Sequence, residues 1–150
     1  IYGYSKCFDF FFCFICHNSL LINIYMQWGR IDNYFTEDEL NNFFPALFMP
    51  KLCNTFDKRL QLQTFHNTIS LVPISKHTDT HYNGIPNYMQ FLVPNQVNND
   101  KTLCHLTSTV IEGDEIQWKR GSILWWYSKH AHWSGVLDKS RSCWVIQTRV

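Results

Sequence analysis

The feature that most constrains the fold is a series of short runs that fills the chain after residue 59. These runs either alternate apolar with polar residues or are rich in β-branched and aromatic residues, which is typical of β-strands. They are Leu60–Phe65, Ile69–Ile74, Tyr88–Val93, Thr102–Val110, Glu115–Lys119, Ser122–Tyr127 and Ser142–Val150. Many short strands at close spacing predict a sandwich or a barrel.

Turn signals separate these runs, at Asn83-Gly84, Gly113-Asp114 and Arg120-Gly121. Pro94 is predicted to end the strand that begins at Tyr88, because proline cannot donate to a strand ladder. A polar loop is predicted over residues 95–101. No repeat, low-complexity tract or linker divides the chain, so we expect one domain over residues 26–150.

A helix is predicted before the strands. Thr36 is a suitable N-cap, Glu39 completes a capping box, and acidic residues fill the first turn. Apolar residues follow at helical spacing, at Leu40, Phe43, Phe44 and Leu47. Pro45 is expected to end or kink this helix. Such a helix supports a sheet, and we give it no catalytic role.

Composition excludes several classes of protein. The 150 residues are 45% hydrophobic and 17% aromatic, which argues for a packed interior and against disorder. A formal net charge of +1 gives no support for nucleic-acid binding. The six cysteines lack the regular spacing of a secreted disulfide scaffold. We therefore expect a reduced, intracellular setting, with the cytoplasm as the compartment.

Residues 1–25 form an apolar, densely aromatic segment. A membrane span needs about 20 apolar residues, and Asp9, His17 and Asn23 interrupt this run, so no stable span is expected. A buried strand pair, non-native upstream sequence and a membrane anchor remain open. Cys13-Phe14-Ile15-Cys16-His17 matches the C-x-x-C-H pattern of covalent haem attachment. Because no export signal is evident, we expect no haem there.

The stretch His77-Thr78-Asp79 carries the candidate chemistry. In an extended segment, residues two apart point the same way and lie about 6.6 Å apart along the strand. The imidazole and the carboxylate would then take two adjacent positions on one cation. His132, on a neighbouring strand, is the candidate for the third ligand. Two histidines and one carboxylate on one face of an ion, with open positions left, form the facial triad of non-haem Fe(II) oxygenases.

Other assignments of these residues stay open, because His-x-Asp alone also fits an ordinary surface turn. His81 lies about 13 Å from His77 along a straight strand, too far to share an ion easily. His130 shares a predicted strand face with His132 and competes with it, and we prefer His132 for the x-Ser-Gly that follows. The ligand atoms of His77, Asp79 and His132 are expected to lie within about 4 Å of one another.

The order of His77-x-Asp79, His132 and Arg141 resembles that of the Fe(II)/2-oxoglutarate-dependent dioxygenases, nearest to a phytanoyl-CoA-hydroxylase-like branch or its viral and bacterial relatives. A turn glycine, an apolar strand, the histidine, x-Ser-Gly and the basic residue follow in that sequence. The resemblance covers residues 60–150. It implies an all-β core with a flanking N-terminal helix, folded as a double-stranded β-helix (a cupin-like jelly roll), with Fe(II) on His77, Asp79 and His132.

The resemblance also implies that 2-oxoglutarate is the co-substrate and that Arg141 pairs with its distal carboxylate. A planar guanidinium suits this role, since it grips a carboxylate through two charge-assisted hydrogen bonds. Ser134 would hydrogen-bond the same carboxylate, and Tyr88 or Gln90 would add a polar contact. Strand alternation predicts that one set of residues faces inward, namely Arg141, Cys143, Val145 and Gln147, and that Trp144 and Ile146 face outward.

The sequence therefore predicts an Fe(II)- and 2-oxoglutarate-dependent oxygenase that hydroxylates an unidentified small molecule or side chain. The alternative is a non-catalytic cupin-type β-barrel that binds a metal or a small ligand. Arg141 discriminates between the two, because only the oxygenase needs a carboxylate clamp. A third interpretation is a haem or membrane-associated module built on residues 7–25.

Overall fold

The computed structural model describes residues 27–79, 81–82, 85–135 and 139–150, of which residues 81, 82, 85 and 86 are described by backbone alone. Residues 1–25, with the C-x-x-C-H motif, and the Asn83-Gly84 turn lie outside these ranges. The strands are β1 (Trp28–Ile31), β2 (Gln61–Ser70), β3 (His81–Tyr82), β4 (Ile85–Pro86), β5 (Met89–Val97), β6 (Ser108–Ile111), β7 (Asp114–Gln117), β8 (Ile123–Tyr127), β9 (His132–Ser134) and β10 (Arg141–Arg149). The helices are α1 (Glu37–Asn41), α2 (Pro45–Thr55) and a 3-10 helix, Lys101–Leu106.

The strands form a five-stranded sheet in the order β1-β8-β5-β10-β2, a three-stranded sheet in the order β7-β6-β9, and the short pair β3-β4. All strand pairs are antiparallel. The prediction of a mostly β architecture is confirmed. No helix in the described ranges is long and apolar enough to cross a membrane.

One face of the five-stranded sheet packs against the helices. Phe48 and Leu52 of α2 are fully buried in a cluster with Phe91, Trp125 and Ile146 of the sheet. Ile146, expected to face outward, does lie on the face away from the three-stranded sheet, but α2 covers that face and leaves Ile146 with no exposed surface. This burial of large apolar side chains supplies much of the driving force for folding.

The other face packs against the three-stranded sheet. A second apolar cluster joins the two sheets: Leu92, Leu124, Trp126 and Cys143 come from the five-stranded sheet, Ile111 and Ile116 come from the three-stranded sheet, and Trp118 directly follows β7. The two sheets thus enclose a space between them, and this space is where the candidate site lies.

The helical region follows local sequence rules. Thr36 accepts a hydrogen bond from the Glu39 N–H at 3.2 Å, and the Glu39 carboxylate accepts one from the Thr36 N–H at 2.9 Å. The capping box is therefore present as predicted. Pro45 does not kink one continuous helix, because α1 ends at Asn41 and Pro45 begins α2. Proline is suited to the first helical position, where its missing N–H is not needed.

Several strand boundaries differ from the sequence prediction. Pro94 lies within β5 instead of ending it. Pairing of β5 with β8 stops at Leu92, and the register with β10 shifts between Ser142 and Cys143, so that the proline disturbs few ladder hydrogen bonds. Residues 95–97, predicted as loop, therefore continue the strand.

The predicted strand Thr102–Val110 is split between two kinds of structure. The Asp100 side chain accepts a hydrogen bond from the Thr102 N–H at 2.9 Å and begins the 3-10 helix, and only Ser108–Ile111 is extended. The predicted strands Leu60–Phe65 and Ile69–Ile74 form one strand, β2, which ends at Ser70, and residues 71–76 form an exposed loop that leads to His77.

Candidate metal centre

Backbone pairing brings the predicted ligands together. His77 N–H donates to the His132 carbonyl at 3.1 Å, and His132 N–H donates to the His77 carbonyl at 2.9 Å. This isolated antiparallel bridge ties the end of the exposed loop to β9. His132 therefore lies on a neighbouring strand, as predicted, whereas His77 and Asp79 lie in a loop and not in a regular strand.

The side chains of these three residues converge. His132 Nε2 lies 3.1 Å from Asp79 Oδ2, and His77 Nε2 lies 3.5 Å from the same oxygen. All three candidate ligand atoms lie within 4.8 Å of one another, somewhat wider than the predicted separation of about 4 Å.

Backbone carbonyls orient both imidazoles. His77 Nδ1 lies 2.7 Å from the Ser75 carbonyl, and His132 Nδ1 lies 3.2 Å from the His130 carbonyl. A carbonyl only accepts, so each Nδ1 carries the proton and donates it. The other nitrogen, Nε2, then faces the other candidate ligands and is the atom that a metal would bind. Ligand histidines in metal sites are oriented in this way.

Asp79 completes the donor set. A hydrogen bond from the His132 ring, opposed by partial burial and assisted by His77, holds the pKa of Asp79 below its usual value, so its carboxylate is charged at neutral pH. The Asn87 side-chain amide donates to the Asp79 carbonyl at 3.2 Å and fixes the backbone there. Two imidazole nitrogens and a carboxylate thus face a common centre, and this is a donor set that fits a divalent cation such as Fe(II).

His130 is turned away from this centre. Its Nδ1 lies 3.2 Å from Glu112 Oε2, and its Nε2 lies 3.3 Å from Gln27 Oε1. The preference for His132 over His130 therefore agrees with the geometry, while the predicted shared strand face does not, because His130 precedes β9 in a turn.

A cavity of about 250 Å³ opens beside the three candidate ligands, between the two sheets. The inward-facing residues predicted for β10 line it, namely Arg141, Cys143, Val145 and Gln147. Gln90 of β5 lines it too and is 1% exposed. Its Oε1 accepts from Gln147 Nε2 at 3.1 Å. Its Nε2 has no partner at hydrogen-bond distance among the described residues, although it lies close enough to Asp79 to contribute to the lowered pKa.

Arg141 is 4% exposed and carries its charge into this cavity wall. Its Nη1 donates to the Ser108 carbonyl at 3.1 Å and lies 3.4 Å from Thr107 Oγ1, and its guanidinium carbon lies 4.9 Å from the centre of the Trp118 ring. Burial lowers the pKa of Arg141 from its ordinary value. Among the residues that the structure describes, no carboxylate pairs with it. A buried cation of this kind is able to pair with an anion that enters the cavity.

Ser134 and Tyr88 are placed differently from the prediction. Ser134 lines the cavity, but its Oγ accepts a hydrogen bond from the Ile74 N–H at 2.7 Å and so holds the loop before His77. Tyr88 lies outside the cavity, in a separate groove, with its hydroxyl 3.3 Å from Asp57 Oδ2. It precedes β5, where the alternation counted from Gln90 does not apply.

The sequence did not indicate the residues that support the candidate ligands. Thr107, Ser108 and Trp118 surround Arg141, and Asn87 holds the backbone of Asp79. Their contacts join separate strands and loops. The only available signal was the alternation that turns Thr107 and Thr109 to one face, and it does not specify the opposing strand.

The fold has clear counterparts among solved structures, although no protein-family model matches the sequence and no match was found among curated proteins. A 2OG-Fe(II) oxygenase-family oxidoreductase from Burkholderia pseudomallei is 16% identical, with a TM-score of 0.53, over 75% of this chain and 56% of that chain. A Pseudomonas putida prolyl-4-hydroxylase is 11% identical, with a TM-score of 0.61, over 87% and 91%.

A viral collagen prolyl hydroxylase from Paramecium Bursaria Chlorella virus-1, solved as a 2OG complex, is 11% identical, with a TM-score of 0.59, over 84% of this chain and 97% of that chain. This chain thus spans about half of the length of the Burkholderia structure and nearly all of the two hydroxylases. At these identities the likeness shows a shared fold.

Proposed function

We propose that this chain is an Fe(II)- and 2-oxoglutarate-dependent oxygenase that hydroxylates a small molecule or a side chain. One observation carries the proposal. A buried arginine without a carboxylate partner among the described residues lines the same cavity as a convergent His-Asp-His set. The first feature fits the distal carboxylate of a keto acid, and the second fits the metal that such a keto acid would chelate.

The fold supports the same proposal. Two facing antiparallel sheets with the candidate ligands at the edge of the enclosed cavity are in keeping with a double-stranded β-helix, and oxygenases of this type are among its structural neighbours. The assignment to a phytanoyl-CoA-hydroxylase-like branch stays a prediction.

His77, Asp79 and His132 would hold the metal. Their Nδ1–H donations to Ser75 and His130 keep both Nε2 atoms available, and the charged Asp79 offsets the positive charge of the ion. Bound Fe(II) would supply the redox chemistry that couples decarboxylation of 2-oxoglutarate by O2 to hydroxylation of the substrate.

Arg141 would bind and orient the keto acid. Its neutral acceptors, Thr107 and the Ser108 carbonyl, hold the guanidinium in place without neutralising it, and Trp118 covers it against water. Gln90 would offer its unpartnered amide N–H as a second donor in the same cavity. Ser134 would support the metal centre instead, by holding the loop that presents His77 and Asp79.

The test is an anaerobic titration of the protein with Fe(II) and then 2-oxoglutarate, followed by the visible charge-transfer band of the chelate. Arg141→Met should keep Fe(II) binding and lose about 2–5 kcal/mol of 2-oxoglutarate affinity, as expected when a buried charge pair loses a partner. Arg149→Met, at the far end of β10, is the matched control and should bind both ligands as the wild type does. Unchanged 2-oxoglutarate binding in Arg141→Met would favour the non-catalytic metal-binding barrel.

The third ligand is tested by iron content at saturating Fe(II). His132→Ala should lose bound iron, whereas His130→Ala should retain it, because only His132 faces Asp79. The opposite result would move the metal centre to His130 and contradict the proposed site.

A further inference from the structure

Glu112 has a backbone conformation that residues with long side chains rarely adopt. Its φ is +50°, in the turn between β6 and β7, where Gly113 follows with φ +85°. The other non-glycine residues with positive φ in the described ranges are all asparagines, at Asn33, Asn98 and Asn99. Asparagine tolerates this conformation through its short polar side chain, and glutamate does not share that advantage. A glutamate held there calls for contacts that keep it in place.

Those contacts reach the two residues that precede His132. The Glu112 N–H donates to the Ala131 carbonyl at 2.9 Å, and the Glu112 carboxylate lies 3.2 Å from His130 Nδ1. Gln27 lies against the second ring nitrogen of His130, and the Trp28 ring packs edge-on at 4.8 Å. The His130 side chain is 10% exposed, so these neighbours define its position.

The position of His130 in turn determines how His132 is presented. The His130 carbonyl is 3.2 Å from His132 Nδ1 and accepts a hydrogen bond from it. This contact leaves His132 Nε2 directed at Asp79, 3.1 Å away. Ile111, the residue before Glu112, is the register partner of His132 across β6 and β9. The turn at Glu112 and the candidate ligand are therefore connected by both backbone and side-chain contacts.

We propose that Glu112 is a positioning residue for His132. Its backbone and carboxylate hold residues 130–131 so that the His130 carbonyl accepts a hydrogen bond from His132 Nδ1 and aims Nε2 at the metal. This inference rests on the proposed metal centre. Because the Glu112 side chain is 42% exposed, its effect on metal affinity should fall at the low end of the 10- to 100-fold range typical of groups that orient metal ligands, at about 10-fold.

The test compares Glu112→Gly with Glu112→Gln and with the control Asn99→Gly, which changes a second residue of positive φ far from the candidate ligands in sequence. Glu112→Gly should weaken Fe(II) or Co(II) binding about 10-fold while the melting temperature stays the same or rises, since glycine relieves the strained backbone. Glu112→Gln keeps an oxygen acceptor for His130 and should restore most of the affinity. Asn99→Gly should leave metal affinity unchanged.

Nitrogen-15 NMR of the metal-free proteins gives an independent readout. The His132 Nδ1–H should give one hydrogen-bonded signal in the wild type and a shifted or broadened signal in Glu112→Gly. An unchanged Nδ1–H signal together with unchanged metal affinity in Glu112→Gly would overturn the proposal, as would an equal loss of affinity in Asn99→Gly. If the wild type binds no metal, the proposed function fails, and the NMR comparison still decides whether Glu112 positions His132.

Discussion

The two faces of β10 have different roles. On the helix side, the Trp144 ring lies 4.9 Å from the Phe43 ring, and Ile146 is fully buried under α2. On the cavity side, the same strand places Arg141 and Gln147 between the sheets. The first face is filled mainly by apolar packing, with the buried Ser142 hydroxyl hydrogen-bonded to Asn67 and Asn95. The second buries polar and charged groups whose full set of partners would include a ligand. The helix side of β10 therefore contributes mainly to stability, and the cavity side carries the groups of the proposed chemistry.

This contrast has an energetic basis. Aromatic rings on the helix side meet at centroid distances near 5 Å, as between Phe48 and Phe65 at 4.9 Å and between Phe56 and Phe91 at 5.0 Å, and each buries a large apolar area. Burying the charge of Arg141 instead lowers the free energy of unfolding, because a desolvated guanidinium is costly until an anion pairs with it.

The largest effect on stability is expected from a substitution on the helix side. Phe48→Ala removes a ring with no exposed surface and leaves a cavity, so it should cost about 3–5 kcal/mol of unfolding free energy, measured in denaturant. Metal affinity of the molecules that remain folded should not change. If that affinity falls together with stability, the two faces are not separable.

A substitution with an effect of intermediate size tests whether the two faces are connected. An added Cβ at Gly135 would lie 1.8 Å from Ser108 Oγ, so Gly135→Ala must move the Ser108 hydroxyl off Glu115, and it also crowds, at 3.2 Å, the Ser108 carbonyl that holds Arg141. We expect a loss of about 1–3 kcal/mol in stability and weaker 2-oxoglutarate binding by titration.

Gly121→Ala is the control on the helix side. Gly121 has φ +86°, and an added Cβ would meet the Phe35 carbonyl at 3.1 Å. This variant should also be destabilised, with 2-oxoglutarate affinity unchanged. Equal loss of 2-oxoglutarate binding in both variants would contradict a local role for Gly135.

Ser134→Ala should cost less stability and tests the cavity side of the same comparison. It removes the hydroxyl that accepts the Ile74 N–H, for about 1 kcal/mol of stability. Because the loop carries His77 and Asp79, Fe(II) affinity should fall as well. Ser122→Ala removes a buried hydroxyl that donates to the Lys119 carbonyl at 2.6 Å and should cost similar stability with no change in Fe(II) binding.

The smallest effect belongs to an exposed ion pair outside both faces. A hydrogen bond from Arg120, aided by Lys101, lowers the pKa of Glu37 from 4.5 to about 2. A lowered carboxyl pKa stabilises the fold above the unfolded value and ceases to do so as pH falls through the folded value. Since Glu37 is 48% exposed, Glu37→Gln should cost less than about 1 kcal/mol at pH 7. Urea unfolding should show the difference shrinking between pH 4.5 and pH 2, and a difference independent of pH would argue against the pair.

Short-range features were predictable from the sequence. The capping box at Thr36 and Glu39 depends on atoms three residues apart, and the two faces of β10 follow from the period of an extended chain. The order of His77, Asp79 and His132 indicated the candidate metal centre for a chemical reason, since few other residue types would serve as its ligands.

Long-range pairing decided the rest. Local pattern placed a strand end at Pro94 and a polar contact at Tyr88, but the register of β5 with its neighbours carries the strand past Pro94 and leaves Tyr88 in another groove. The loop bearing His77 meets His132 only through cross-strand hydrogen bonds, and Arg141 finds Ser108 only because two sheets stack. Sequence by itself determined which side chains share a face of β10. Tertiary structure alone decided which faces meet, because hydrogen bonds and packing between distant strands depend on the fit of both partners and not on the pattern of either segment alone.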